Sequence, residues 1–324
     1  MADPASLTAA AISAGPGQTI GSPAQNLAIL AGSGHDSLAT DLARLLGLTE
    51  LPIVPERFPD GELSVRITES VRGRQAVIVQ PTGPPVDEHL VELLALADAC
   101  RRGAAAKIVA VVPYFGYARG DRRAGIGTPV MASLVAQLMQ SAGINHVITF
   151  DLHAPQIEGF FQIPVDELNA MPLLLPPVRD GLGSDVVVVS PDLGRLGLAA
   201  LYADHLGTTA AVVHKRRTSG RESHVLQVAG DVAGRPCLIV DDMIATGGTI
   251  AGCVDALLLA GAQPRIAIAA THGLFLAGSA ELLGHPAIGP IWVTDTLPQP
   301  AGSPPRRSVV SVAPLLAEAL DKLR

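Results

Sequence analysis

The sequence predicts an α/β chain of two similar units, each a mostly parallel sheet flanked by helices. Three observations predict it. Short apolar runs alternate with amphipathic segments from Leu27 onward. The alternation restarts after a Pro-rich stretch near "IPVDELNAMPLLLPPV". And 324 residues exceed one typical domain but suit two.

In chain order, "LAILAG" reads as a strand, and "DSLATDLARLLG" as a helix opened by Asp36 and closed by Gly47. "QAVIVQ" is a strand, "VDEHLVELLALADACRRG" an amphipathic helix, "KIVAVVPYF" a strand and "PVMASLVAQLMQSAG" a helix. "HVITFDLH" is a strand that ends in polar residues. The second series is strand "DVVVVSPD", helix "LGLAALYADHLG", strand "TAAVVHKRR", strand "PCLIVDD", helix "TIAGCVDALLLAGA" and strand "RIAIAATH". "SVAPLLAEALDKL" is a last amphipathic helix. The expected organisation is a disordered extension over residues 1–26, rich in Ala, Ser, Gly and Pro, then units over 27–167 and 168–308. A helix over 309–324 packs back on the first unit.

Composition narrows the function classes. Hydrophobic residues make up 48% of the chain and aromatic ones only 3%, so the core is aliphatic. A net charge of −7 argues against a general nucleic-acid binder, while leaving room for local basic sites. Charged residues are only 16%, which fits a surface partly covered by further copies of the chain. Cys100, Cys237 and Cys253 form no C-x-x-C pair and read as buried, reduced thiols of a cytoplasmic protein. No apolar run reaches membrane-spanning length, and the first residues lack the basic region of a signal peptide.

Candidate chemistry collects where strands end, which in open parallel sheets is where ligands sit. Asp241 and Asp242 close a strand, and Ala245, Thr246, Gly247, Gly248 and Thr249 lead into a helix. Such a loop lets backbone N–H groups and a helix N-terminus meet an anion. The two acids would repel that anion and suit instead a diol, such as ribose hydroxyls. The alternative is an Asp-initiated loop with Thr249 as a helix cap. Lys215 and Arg217 lie two apart on an extended segment, hence on one side. They suit charge building on transferring phosphates, or form an ordinary basic strand end.

Asp192 follows one strand and His153 another. Together they could hold Mg2+ directly or through water and phosphates, although His153 serves equally as a phosphate donor. "YFGYARGDRRAGIGTP" carries Arg119, Arg122 and Arg123 among glycines. It reads as a basic loop able to close over phosphates, or as a solvated surface loop. "RFPDGELSV" sets Phe58 beside Asp60 and Glu62, a combination suited to a base and its exocyclic amine, or an ordinary turn. "AGSGHDS" lacks the third glycine of a dinucleotide fingerprint, and no P-loop occurs.

From about Leu27 to the C-terminus the chain resembles the ribose-phosphate diphosphokinases, or phosphoribosyl diphosphate synthetases. The resemblance rests on "RFPDGE", "ESVRG", "PYFGYARGDRR", "DLHAPQIEGFFQIPVDEL", "SPD", "KRR", "DDMIATGGT" and "SVAPLLAEAL", in the family's order. It implies two phosphoribosyltransferase-type domains that transfer the β,γ-diphosphoryl group of ATP to ribose 5-phosphate. The products are 5-phosphoribosyl 1-diphosphate and AMP. It implies an ATP site at Phe58, Asp60, Gly61, Glu62, Arg119, Gly120, Asp121, Arg122 and His153, and a catalytic pair, Lys215 and Arg217. Ribose 5-phosphate would be held by Arg217, Asp241, Asp242, Ala245, Thr246, Gly247, Gly248 and Thr249. His153 and Asp192 would be Mg2+-associated, Mg2+ being the implied cofactor. The resemblance also implies a cytoplasmic homo-oligomer, a hexamer of dimers, with no nucleic-acid or membrane partner.

The chain departs from the family's commonest bacterial form at Ala245 (Asp there), Gly120 (Gln) and Arg195 (Gly), and "KRRTSG" is similar to an archaeal type. Backbone binding of the phosphate would make the side chain at 245 dispensable. These departures leave one rival, a catalytically weak paralogue serving as a regulatory or structural subunit.

Overall fold

The computed structural model describes residues 26–183, 185–217 and 224–323, with side chains left undescribed at 215–217, 224 and 225. The expected extension over residues 1–26 lies outside the described residues, Asn26 apart. Two sheets carry the fold.

The first sheet is built from β1 (Leu27–Ala31), β2 (Glu50–Leu51), β5 (Gln75–Val79), β6 (Lys107–Val112), β7 (His146–Phe150) and β8 (Val165–Leu168). Its order is β2-β1-β5-β6-β7-β8, and all its pairings are parallel. Two-residue periodicity sorts the apolar runs onto opposite faces. Ala28, Leu30, Ala76 and Ile78 join α2 (Val86–Arg102) and α3 (Met131–Ala142) in one core. Leu27, Ile29, Val77 and Val79 join α1 (Asp36–Leu46) in the other. A separate antiparallel hairpin, β3 (Ile53–Arg57) and β4 (Leu63–Ile67), stands beside α2.

The second unit begins with α4 (Met171–Gly181), which carries Pro176 and Pro177 inside it. Its sheet orders as β11-β10-β9-β12-β13-β14-β15. These strands are β9 (Val187–Ser190), β10 (Thr209–Arg217), β11 (His224–Ala229), β12 (Cys237–Ile244), β13 (Ile266–Gly273), β14 (Ile288–Thr294) and β15 (Arg307–Val310). Within this sheet, among the described residues, only the β10–β11 pair is antiparallel. α5 (Leu196–Leu206) and α4 cover one face, and α6 (Gly248–Leu259) covers the other with α7 (Ser279–Leu283). β9 is followed by β10 on one side and β12 on the other, so the chain reverses direction across the sheet at β9. The crevice beyond β9 and β12 is therefore the expected ligand position.

The structure corrects several expectations. α1 is capped by His35, whose Nδ1 accepts from the Leu38 N–H, rather than by Asp36, which is its first residue. β12 runs three residues past Asp241 to Ile244, because Met243 and Ile244 continue the pairing with His272 and Gly273. Val309 and Val310 belong to β15 and pair with Val293 and Thr294, so the last helix is shorter than 309–324. That helix, α8 (Ala313–Asp321), buries Ala313, Leu316, Ala319 and Leu320 in the core that holds Leu38 and Leu42 of α1.

Candidate active site

The crevice is lined from the second unit by the ends of β9 and β12 and the start of α6. After β9, Asp192 caps a single helical turn, its Oδ1 accepting from the N–H groups of Gly194 (2.7 Å) and Arg195 (3.2 Å). This turn aims Arg195 across to the neighbouring strand β12, which pairs with β9 through Ile239 and Val189. There Arg195 Nη2 donates to Asp242 Oδ2 at 2.8 Å, and its Nε lies 3.5 Å from Asp241 Oδ1. Asp242 is 5% exposed. Burial alone would raise its carboxyl, but bonds from His153 and Asp241 and the Arg195 charge hold it below the ordinary value. Asp241 is pushed up to about 8 by burial, then by its hydrogen bond to and repulsion from Asp242. The adjacent acids therefore share their charge unequally, and Asp242 is the ionised one.

The first unit closes the crevice from above β7. His153 Nδ1 lies 2.8 Å from Asp242 Oδ2 and 2.6 Å from Arg195 Nη2. One nitrogen cannot donate to the acid and accept from the arginine at once. A carboxylate oxygen readily takes two donors, so we assign the proton to His153 Nδ1 and let both groups converge on Asp242. Asp151, at the end of β7, spans the two units: its Oδ2 accepts from Ala170 N–H (3.0 Å) and Thr271 Oγ1 (2.6 Å). Burial raises its carboxyl above the ordinary range. Tyr114 and His272 add an edge-to-face contact across the same boundary, with centroids 5.0 Å apart.

The loop after β12 is held by the carbonyls of Ile244 and Ala245, which accept from Leu274, Phe275 and Leu276. Gly247 turns it with φ +83°, and a Cβ there would meet Leu283 Cγ at 3.0 Å. α6 starts with Gly247 at its cap position and no side-chain cap, so the reading of Thr249 as a cap fails. Gly247 offers no side-chain cap, and the Gly248 N–H reaches a side chain only at the 3.5 Å limit, Thr246 Oγ1, so the helix start suits an anion.

Arg119, His153, Asp192, Arg195, Asp241, Asp242, Ala245, Thr246, Gly247 and Thr249 line one cavity of about 460 Å3. Gly248 lines a neighbouring cavity that shares Asp192 and Thr249. A pocket of about 110 Å3 lies on the far side of the acids, and Arg195, Asp241 and Asp242 line both. Several expected residues whose side chains are described do not line the cavity. Phe58, Asp60, Gly61 and Glu62 sit on the exposed β3–β4 turn, where Arg57 pairs with Glu88 at 2.5 Å. Gly120 packs against Met131, Asp121 accepts from Gln156, and Arg122 is exposed. Lys215 and Arg217 fall on the last residues of β10, opposite Leu226 and His224, and their side chains lie outside the described residues. Sequence reasoning gave Arg195 and Asp151 no role. Their signal was available only as position, one just after a strand-end acid and the other just before a strand-end histidine.

No group of three His, Cys, Asp or Glu side chains able to hold a metal occurs among the described residues. Asp192 commits Oδ1 to its turn and His153 commits Nδ1 to Asp242. Each residue lines the cavity and has one further metal-ligating atom, Asp192 Oδ2 and His153 Nε2. That set fits a Mg2+ ion carried largely by substrate phosphates and water, the usual habit of this ion.

Comparison with known proteins points one way. Residues 27–143 match the family described as the N-terminal domain of ribose phosphate pyrophosphokinase, and residues 178–280 match the phosphoribosyl transferase domain. The chain is 44% identical over 300 residues to a ribose-phosphate pyrophosphokinase of Caldanaerobacter subterraneus, covering 92% of this chain and 95% of the relative. It is 42% identical to one of Bradyrhizobium diazoefficiens, covering 92% and 94%. A crystal structure of phosphoribosylpyrophosphate synthetase from Mycobacterium smegmatis superposes with a TM-score of 0.86 at 39% identity, covering 92% of this chain and 98% of that one.

Proposed function

The chain belongs to the ribose-phosphate pyrophosphokinase family, and from that premise we propose that it makes 5-phosphoribosyl 1-diphosphate and AMP from ATP and ribose 5-phosphate. Its two mostly parallel, helix-flanked sheets are of the phosphoribosyltransferase type. The observation that carries the reading is the single cavity in which an uncapped helix start, a pair of acids, and Arg119 and His153 from the other unit converge.

In this reading the loop 245–249 and the first turn of α6 take the 5-phosphate through backbone N–H groups. Asp241 and Asp242 take ribose hydroxyls. Arg119 and His153 contact ATP phosphates, and Lys215 and Arg217 face the charge that builds during transfer. The β3–β4 turn, with Phe58, Asp60, Gly61 and Glu62, serves adenine, and Gly120, Asp121 and Arg122 complete the phosphate loop. The anomeric oxygen bonds to the β-phosphorus, and the bond from that phosphorus to the oxygen it shares with the α-phosphorus breaks. The electron pair leaves on AMP, and the hydroxyl proton is lost to the medium. Mg2+, held near His153 and Asp192 with the phosphates, would offset the repulsion between two polyanions.

We further divide the chain after residue 167 and assign α8 to the first unit. Unpaired, buried Cys100, Cys237 and Cys253 are at home in the cytoplasm. Exposed Ile126, Leu134, Leu138 and Leu259 support a homo-oligomer, a hexamer of dimers.

The test is product identity. Pure protein with ATP, Mg2+ and ribose 5-phosphate is expected to yield AMP and phosphoribosyl diphosphate in equal amounts, and Lys215→Ala to remove both. ADP in place of AMP would mean simple phosphoryl transfer and would end this reading.

A further inference from the structure

Among the described residues, Arg195 is the one cation whose guanidinium reaches both acids of the cavity. Its side chain is only 18% exposed, and it lies between the main cavity and the small pocket behind it. Two adjacent, largely buried carboxylates on a central strand resist ionising together, and a divalent cation is a common remedy. Here the chain supplies its own cation, delivered by the turn that Asp192 caps. The guanidinium reaches Asp242 Oδ2 with its Nη2 and approaches Asp241 Oδ1 with its Nε, so it bridges the pair where a metal would bridge it. His153 converges on the same Asp242 oxygen from the other unit.

We propose that Arg195 is a positioning residue that stands in for a divalent cation at the Asp241–Asp242 pair and keeps metal out of that position. The proposal rests on the reading of the acids as the ribose site and deepens it. The pair stays oriented for a sugar without recruiting metal, so divalent cation enters this cavity with the nucleotide phosphates and not on the acids. Arg195 acts through Asp241 and Asp242 and need not touch the reacting atoms. Lysine at this position would preserve the charge without the planar fork.

The experiment is a titration of the ligand-free protein with Mn2+ alone, followed by the loss of the free-ion paramagnetic resonance signal. It needs no turnover, so its outcome is independent of whether AMP is formed. Arg195→Ala is expected to gain one Mn2+ site at least about tenfold tighter than any in the parent chain at this position. Asp242→Asn in the Arg195→Ala background is expected to abolish it. Arg195→Lys should bind Mn2+ as the parent does, and Arg195→Gln supplies the same loss of charge if the alanine variant does not fold. Equal Mn2+ binding by the parent and both neutral variants overturns the proposal. So does a gained site that survives Asp242→Asn.

Discussion

Replacing Asp151 should loosen the joint between the two sheets. Its Oδ2 accepts from the Ala170 N–H at 3.0 Å and from Thr271 Oγ1 at 2.6 Å, one donor on the connection into α4 and one on β13. Hydrogen bonds to a charged acceptor contribute about 1.5–3 kcal/mol each. Burial already works against the ionised acid here, which trims that gain. The Thr271 hydroxyl can rotate towards another partner, whereas the Ala170 N–H cannot. Asp151→Ala is therefore expected to destabilise the fold by about 2–4 kcal/mol. Asp151→Asn keeps an oxygen in place and sheds the desolvation penalty, so about 1 kcal/mol or less is expected. Urea unfolding can be followed by the fluorescence of Trp292, the only tryptophan, buried on β14. The Asp151→Ala, Thr271→Val cycle should show a coupling of about 1–2 kcal/mol. If the alanine and asparagine variants unfold at the same urea concentration, the bonds from Asp151 do not hold the joint.

Other outcomes follow from the loop and the thiols. Ala245→Asp is expected to change the KM for ribose 5-phosphate less than about tenfold, roughly 1.4 kcal/mol, because the backbone makes the cradle. Gly247→Val should exceed that change, since φ is +83° and Leu283 leaves no room; steady-state KM values that reverse this order would rule out a backbone cradle. Burial pushes the Cys100 thiol up to about 12 and the Cys237 thiol up to about 11, and it raises Cys253 as well. All three should resist a disulfide reagent at pH 8 and react only in denaturant; rapid reaction of the native chain would contradict their burial.

The central strands were legible because each is a short apolar run buried on both faces, as Val77 and Ile78 are. The β3–β4 hairpin was read only as a turn. Val54 to Arg57 are exposed, so no alternation of buried and open positions marks that strand. α4 hid behind Pro176 and Pro177, which sit inside it. β12 seemed to end at its acids because polarity mimics a boundary, but pairing with β13 carries the strand on. At the site, the groups that share one short segment were readable together, as Asp241 through Thr249 are. What Arg195 does depends on where a long side chain points after a tight turn, and spacing along the chain holds no such information. Of the residues assigned to ATP by resemblance, Arg119 and His153 line the cavity, whereas those of the hairpin turn do not.

The seating of α8 bears on how the chain is made. The first sheet is complete in sequence at Leu168, yet one side of it is finished by Leu316 and Leu320, which the ribosome adds after the second sheet. At typical elongation rates that interval is roughly 7–30 s. During it the faces of Leu38 and Leu42 have no cover from α8, while the second unit can already close around β9 and β12. The core of the first unit is thus completed by residues synthesised after the second sheet. A nascent chain that stops just short of Ala313 would carry an unfinished beginning, however complete its remainder.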